Sequence, residues 1–168
     1  MAASLLHACG YQTVTSEASA TSDNPKPTII LILADDLGYG DLGVQGGTDV
    51  RTPHIDELAH GGARFTDFYA NHPICSPARA GLLTARYQHR FGFETNPART
   101  GTEDGLAVNQ PTVPERLKAL GYKTGMVGKW HLGYGPEHDP TRRGFDSFYG
   151  TLGGAMAFVP DGASGDKG

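Results

Sequence analysis

The sequence has few cysteines, no cluster of basic residues, no internal repeat and no apolar stretch long enough to span a bilayer. Its two cysteines, Cys9 and Cys75, do not make the disulfide framework of a small cross-linked domain. Because the net charge is −4 and the basic residues form no run, we expect no binding to nucleic acid or to a membrane surface. No transmembrane segment is expected, since a spanning helix needs about 20 consecutive apolar residues. At 168 residues, the chain is long enough for one domain with a sizeable core.

Glycine and proline, by contrast, are abundant, with 24 and 11 residues. In a chain without repeats, this composition predicts many loops carried on a scaffold, with binding through those loops. Residues 1–26 are small, polar and rich in Ser and Thr, which predicts a disordered leader or a truncated export signal. Residues 27–158 are expected to form the domain, and residues 159–168 a ragged polar tail.

The segment around Cys9 bears on where the protein resides. Cys9 follows small residues and a short apolar pair, which resembles the end of a bacterial lipoprotein signal. The segment lacks the basic start and the long apolar core of such a signal. A start codon assigned too late in the gene would explain a signal that begins in its middle. We therefore expect an exported protein, periplasmic, lipid-anchored or extracellular, with Cys9 as the candidate site of lipidation.

Strand and helix patterns alternate along the domain. Apolar runs, rich in β-branched or aromatic residues, predict strands at residues 28–34, 63–70 and 122–127, the first buried on both faces. Proline, capping and glycine signals predict helices between Thr52 and Gly61, from Cys75 through Leu83, and between Thr112 and Gly121. Such alternation predicts an α/β fold, with a mostly parallel sheet flanked by helices.

Residues 75–79, Cys-Ser-Pro-Ala-Arg, are the most informative short segment. Pro77 suits a first helical turn and Ser76 is a good N-cap, which places Cys75 at or next to the helix start. Helix N-termini attract anions, and Arg79, one turn further on, is able to reach back toward the same anion. A small buried cysteine and a solvated arginine explain the same residues, so both interpretations stay open.

Other reactive side chains follow the predicted strands. Asp35 and Asp36 follow the first strand, Cys75 lies in the loop after the second, and Lys129 and His131 follow the third. Parallel strands bring such residues to one edge of the sheet. Adjacent carboxylates repel each other unless a cation lies between them, which favours a Ca²⁺ or Mg²⁺ site over a simple turn. Alone, Lys129 and His131 are also consistent with ordinary surface residues.

Four segments together resemble the N-terminal part of the type I sulfatases, formylglycine-dependent enzymes of the alkaline phosphatase superfamily. The segments are residues 32–38, 75–84, 128–133 and 143–146, and they occur in the family's order. The resemblance covers roughly residues 27 to 150. It implies an alkaline-phosphatase-like α/β fold that is partial and incomplete at its C-terminal side.

The resemblance also implies roles for individual residues. Cys75 would be converted to Cα-formylglycine by a formylglycine-generating enzyme, and its hydrated aldehyde would be the nucleophile. Asp35 and Asp36, with the modified Cys75, would hold Ca²⁺, with Mg²⁺ as the alternative. Arg79 would steady the formylglycine, Lys129 would contact the sulfate, and His131 would contact the formylglycine hydroxyl.

The implied activity is hydrolysis of sulfate esters, on a sulfated small molecule or carbohydrate. Members of the family run to several hundred residues, and their later part supplies further metal and sulfate ligands that nothing after His131 provides. We therefore expect the front part of a longer sulfatase. The alternatives are a non-catalytic remnant or binding module, and a formylglycine-dependent phosphodiesterase or phosphonate hydrolase.

Overall fold

The structure is a computed structural model that describes residues 25–99 and 104–155. The predicted leader, Cys9 and the predicted tail therefore lie outside the described residues, apart from residues 25 and 26. The chain divides into two units, Met1–Ala34 and Asp35–Gly168. None of the described helices is long and apolar enough to cross a membrane.

The described part of the first unit, residues 25–34, contains neither helix nor strand. The strand predicted at residues 28–34 is therefore wrong, and side chains such as Ile30 and Ile32 are about 80% exposed. A strand exists only through hydrogen bonds to a neighbouring strand. An apolar run does not indicate whether a partner strand is present, so it is not enough to predict a strand at residues 28–34.

The three predicted helices are all present in the second unit. They are α1 (Pro53–Gly61), α2 (Cys75–Thr84) and α3 (Val113–Ala119). Their start signals are local: proline occupies the first turn of α1 and α3, and Thr112 and Glu115 form a capping box. The Glu115 carboxylate accepts the Thr112 N–H at 2.7 Å. The N-cap of α2 is Ile74, so the prediction of Ser76 as the cap is wrong. Five short 3₁₀ helices lie at Tyr39–Asp41, Gly43–Gln45, Gln88–Phe91, Pro136–His138 and Pro140–Arg142.

The described sheet has two parallel strands, β1 (Gly125–Lys129) and β2 (Ser147–Thr151). Strand β1 begins three residues later than the strand predicted at 122–127, and β2 was not predicted. The strand predicted at residues 63–70 is wrong, because that segment is a loop whose Phe68 is 76% exposed. Parallel strands joined through intervening helical turns, beside α-helices, agree with the predicted α/β class.

Two glycines face each other across this sheet. Gly128 pairs with Gly150 in the register, and both have positive φ angles, 113° and 157°. A Cβ atom placed at Gly150 would overlap the backbone carbonyl of Gly128. The two backbones thus approach more closely than any side chain at Gly150 permits.

The core lies between α2 and one face of the sheet. It is built on four buried residues, Ala80, Leu106, Trp130 and Leu132, and on half-buried side chains that include Met126 and Phe148. Trp130 packs edge-on against Phe145, with ring centroids 6.2 Å apart, and its indole N–H donates to the His138 carbonyl at 2.8 Å. On the opposite face of the sheet, Val127 and Tyr149 are each 81% exposed.

Arg143 is a buried side chain that makes several hydrogen bonds within this unit. It is 2% exposed and donates to the carbonyls of Leu106 and Gln110, each at 2.7 Å, and to the Glu115 carboxylate at 3.3 Å. The Thr112 hydroxyl returns a hydrogen bond to the Arg143 carbonyl at 2.9 Å. The hydrogen bonds of Arg143 therefore connect residues 106–115 to the loop that leads into β2.

Candidate active site

Cys75 is the first residue of α2 and is a half-buried free thiol. The backbone donors of this first turn are largely used by the protein itself. The Ser76 N–H donates to Asn96 Oδ1 at 3.1 Å, Pro77 has no N–H, and the Ala78 N–H donates to the Ile74 carbonyl at 3.1 Å. The helix start therefore does not present the row of free N–H groups that an anion site of this type needs.

Two cationic side chains of the site, Arg79 and Lys129, both contact Asp35. Arg79 Nη2 donates to Asp35 Oδ1 at 3.0 Å, and Lys129 Nζ donates to Asp35 Oδ2 at 2.9 Å. Arg79 Nη1 also donates to the Lys129 carbonyl at 2.7 Å. Because the Arg79 side chain is only 10% exposed, it is not a solvated surface arginine. One carboxylate between two cations leaves this group with a net charge of about +1.

This arrangement affects the protonation of two residues. Partial burial raises the pKa of Asp35, but the hydrogen bonds and positive charges of Lys129 and Arg79 together lower it by more than burial raises it. The pKa of Asp35 is therefore below its ordinary value. Burial lowers the pKa of His131, and the positive charges of Lys129 and Arg79 lower it again. At neutral pH, Asp35 is therefore ionised and His131 is a neutral imidazole.

Asp35, Asp36 and Cys75 form a group that could hold a metal ion. One ligand atom from each lies within 4.8 Å of the others. Asp36 adopts a left-handed backbone conformation with φ of 57°, which Asp tolerates better than most residues. Hard cations such as Ca²⁺ take about six to eight oxygen ligands, so the Asp35 and Asp36 carboxylates fit one side of a coordination shell, whereas Cys75 as an unmodified thiol offers a soft sulfur.

His131 lines the same cavity as Cys75. The cavity has a volume of about 490 Å³ and is lined by Cys75, His131, Asn96, Arg99, Tyr134 and residues 151–155. His131 is 6% exposed, with φ of 61°, and its Nδ1 has no hydrogen-bond partner among the described residues. A neutral imidazole facing the same cavity as Cys75 is able to take or give a proton there.

The six residues selected from the sequence thus lie together. Asp35 contacts Arg79 and Lys129, shares the metal-ligand group with Asp36 and Cys75, and Cys75 shares the cavity with His131. Sequence reasoning missed the cavity residues Asn96, Arg99 and Tyr134, for which no local pattern exists. It also misread Ser76, whose hydroxyl donates to the His131 carbonyl rather than capping its own helix.

Comparisons with known proteins identify the family of this chain. Residues 27–165 match the family model described as Sulfatase. Human arylsulfatase A is 51% identical over 126 residues, 74% of this chain and 25% of that protein. Mouse arylsulfatase G is 44% identical over 140 residues, 83% of this chain and 26% of that protein. The crystal structure of Ps i-CgsB in complex with k-i-k-neocarrahexaose superposes with a TM-score of 0.78 at 46% identity, covering 82% of this chain and 31% of that chain.

These matches confirm the predicted fold class, an alkaline-phosphatase-like α/β fold in part, because the structural neighbours are sulfatases of that fold. The chain spans about a quarter of the length of the curated relatives it matches. The family model nevertheless matches residues 27–165, which is most of this sequence. The chain belongs to the sulfatase family.

Proposed function

We propose that this chain carries the nucleophile's part of the active site of a sulfuric ester hydrolase. The observation that carries the proposal is the placement of Cys75 in one ligand group with Asp35 and Asp36. Sulfatases in general use formylglycine and a divalent cation, and Cys75 is the residue we assign to the first. The hydrated aldehyde of formylglycine would supply an oxygen nucleophile for attack on sulfur.

The side chains around Cys75 have separate tasks in this proposal. Lys129, through Nζ, neutralises negative charge on the oxygens of the sulfate ester. Arg79 holds both the Asp35 carboxylate and the Lys129 backbone, which keeps the two charges in place. His131 stays neutral through burial and moves a proton at the Cys75 side of the cavity.

Asp35 and Asp36, with residue 75, would hold the cation, which we propose is Ca²⁺, with Mg²⁺ as the alternative. Carboxylate oxygens suit both ions, and residue 75 adds oxygen once it is formylglycine. A cation there supplies charge stabilisation to an anionic ester. The further ligands are proposed to come from outside the described residues.

We infer that the substrate is a sulfated carbohydrate or a small sulfated molecule. One structural neighbour binds k-i-k-neocarrahexaose, which supports the carbohydrate class for this chain as well. The proposal includes export of the protein and modification of Cys75 by a formylglycine-generating enzyme. Mass spectrometry of the Cys75 peptide after co-expression with that enzyme tests the modification: a mass lower than that of the cysteine peptide is expected, and a purely cysteine peptide would contradict it.

Cation binding is tested by calorimetric titration of the chain with CaCl₂. Asp36→Asn removes one ligand charge, and we expect a loss of affinity of about tenfold, roughly 1.4 kcal/mol. Asp49→Asn is the matched control, because Asp49 is exposed and its carboxylate contacts only the neighbouring Thr48 hydroxyl among the described residues. Equal affinities for the two variants would refute the assignment.

Recognition of the ester is tested by calorimetric titration with 4-methylumbelliferyl sulfate and, separately, with the free phenol. We expect the chain to bind the sulfate more tightly than the free phenol, and Lys129→Met to weaken that binding about tenfold. Lys123→Met, at an exposed lysine whose charge acts on Asp146 rather than on Asp35, should bind like the unsubstituted chain. Equal binding of ester and phenol would reject a sulfate site at Lys129.

A further inference from the structure

His131 has an unusual backbone for a bulky residue. Its φ of 61° lies in the left-handed region, where L-residues other than Gly, Asn and Asp are uncommon. Such a conformation persists only when the surrounding structure holds it. The contacts of the His131 backbone therefore determine where its imidazole ring lies.

Within the described part of the chain, no hydrogen bond at Nδ1 orients the imidazole ring of His131. A functional histidine is commonly fixed by a hydrogen bond at its second ring nitrogen. Here Nδ1 is buried and has no partner among the described residues. Orientation must therefore come from the backbone and from packing.

Ser76 supplies the backbone contact from the side of α2. Its side chain is fully buried, and its hydroxyl donates to the His131 carbonyl, 55 positions along the chain. Ser76 is itself held, because its N–H donates to Asn96 Oδ1 at 3.1 Å. The residue that follows Cys75 is thus hydrogen-bonded to the backbone of the histidine that lines the same cavity as Cys75.

The segment after β2 also contacts His131. The His131 N–H donates to the Leu152 carbonyl at 3.1 Å. A Cβ atom at Gly154 would lie 2.5 Å from His131 Cε1, so the ring occupies space that any side chain there would take. Ser76 and residues 152–154 together confine His131.

We propose that Ser76 is a positioning residue that holds His131 at the cavity, with Asn96 fixing Ser76 in turn. The consequence for catalysis rests on the proposed function, whereas the positioning itself does not. Removing the hydroxyl frees the His131 carbonyl, and the backbone is then able to leave its left-handed conformation. The imidazole would lose its buried position beside Cys75.

Acylation of histidines by diethyl pyrocarbonate, read by peptide mass spectrometry, measures this positioning in the 168-residue chain. The reagent attacks exposed neutral imidazole, and His131 and His138 are both buried, at 6% and 3% exposure. His138 therefore serves as an internal reference for global unfolding. In Ser76→Ala, we expect His131 acylation to accelerate about 5- to 10-fold, the equivalent of one lost hydrogen bond, while His138 keeps its rate.

Two further variants complete the test. Ser76→Thr keeps the hydroxyl and should restore the slow acylation of His131. Thr84→Ala removes another buried hydroxyl of α2, one that donates within the helix to the Ala80 carbonyl at 2.7 Å, and should leave His131 protected. An unchanged His131 rate in Ser76→Ala, or the same acceleration in Thr84→Ala, would overturn the proposal.

Loss of folding has its own diagnostic. If Ser76→Ala accelerates both histidines equally, Ser76→Cys decides, because cysteine is similar in size but is a weak donor. Faster acylation of His131 alone in Ser76→Cys supports the proposal, and any other pattern rejects it. No cation, formylglycine or sulfate ester is present in these reactions. Failure of the proposed hydrolase activity therefore leaves their outcome unchanged.

Discussion

The Arg143 hydrogen bonds predict a large loss of stability when that side chain is replaced. In Arg143→Met, the apolar stem of the side chain is retained and the guanidinium is lost. The carbonyls of Leu106 and Gln110 then lose their charged donor, and the Glu115 carboxylate loses its cation. The Leu106 carbonyl is the most costly of these, because the hydrogen bond it loses is buried.

The size of the effect follows from these contacts. A hydrogen bond to a charged group contributes about 1.5–3 kcal/mol, and two carbonyls lose one each. The Glu115 side chain is 31% exposed, so water replaces much of what its ion pair provides. We therefore expect the free energy of unfolding to fall by roughly 3–5 kcal/mol, a large fraction of the about 5–15 kcal/mol of a typical domain.

The chain contains its own probe for this experiment. Trp130 is the single tryptophan, is fully buried and packs against Phe145, two residues from Arg143. Its emission during urea unfolding gives the midpoint and the slope for each variant. Arg142→Met is the matched control, since Arg142 is an exposed arginine that directly precedes Arg143. This substitution should change the free energy of unfolding by less than about 0.5 kcal/mol. A loss below about 1 kcal/mol in Arg143→Met would refute the reasoning.

Two further predictions concern pH and the cavity. The hydrogen bond from Lys118, with another from the Thr124 N–H, lowers the pKa of Asp146 to about 2. Because the pKa of Asp146 is lower in the folded chain than the value of about 3.9 in the unfolded chain, its carboxylate contributes stability at pH values above about 3.9. That contribution is lost as the pH falls from there toward 2. Asp146→Asn should therefore lower the urea midpoint at pH 7 and have little effect at pH 2. A deficit of the same size at both pH values would contradict this. In Gly154→Ala the new Cβ would lie 2.5 Å from His131 Cε1, so we expect a shifted His131 Cε1–H resonance in NMR spectra. Gly153→Ala, whose nearest neighbour atom is 3.5 Å away, should leave it in place, and an unshifted resonance in Gly154→Ala would show that the ring is not confined.

The helices could be predicted because their signals are local. Proline in the first turn, the pairing of Thr112 with Glu115 and the glycines after α1 and α3 act within a few residues. The strands depend on partners far along the chain, so the apolar runs at 28–34 and 63–70 misled. The strand β2 was missed because Ser147–Thr151 contains a glycine and has no continuous apolar run.

More of the candidate site than of the sheet could be predicted from the sequence. Asp35, Cys75, Lys129 and their neighbours were found because reactive residue types stood in recognisable short segments, and the structure brings them together. Asn96 gave no such signal, since it lies in a loop and acts through one hydrogen bond to Ser76. Contacts of that kind depend on tertiary distance, which spacing along the chain does not encode.

The facing glycines of the sheet have a consequence for folding. In the observed register, the Trp130 N–H donates to the Thr151 carbonyl and the His131 N–H to the Leu152 carbonyl. A slip of one residue would set Tyr149, with its Cβ, against the carbonyl of Gly128, and would turn every side chain of one strand to the wrong face. We expect the contact between that Cβ and the Gly128 carbonyl to disfavour the slipped register. The alignment of His131 with residues 152–154 therefore depends on two positions that have no side chain.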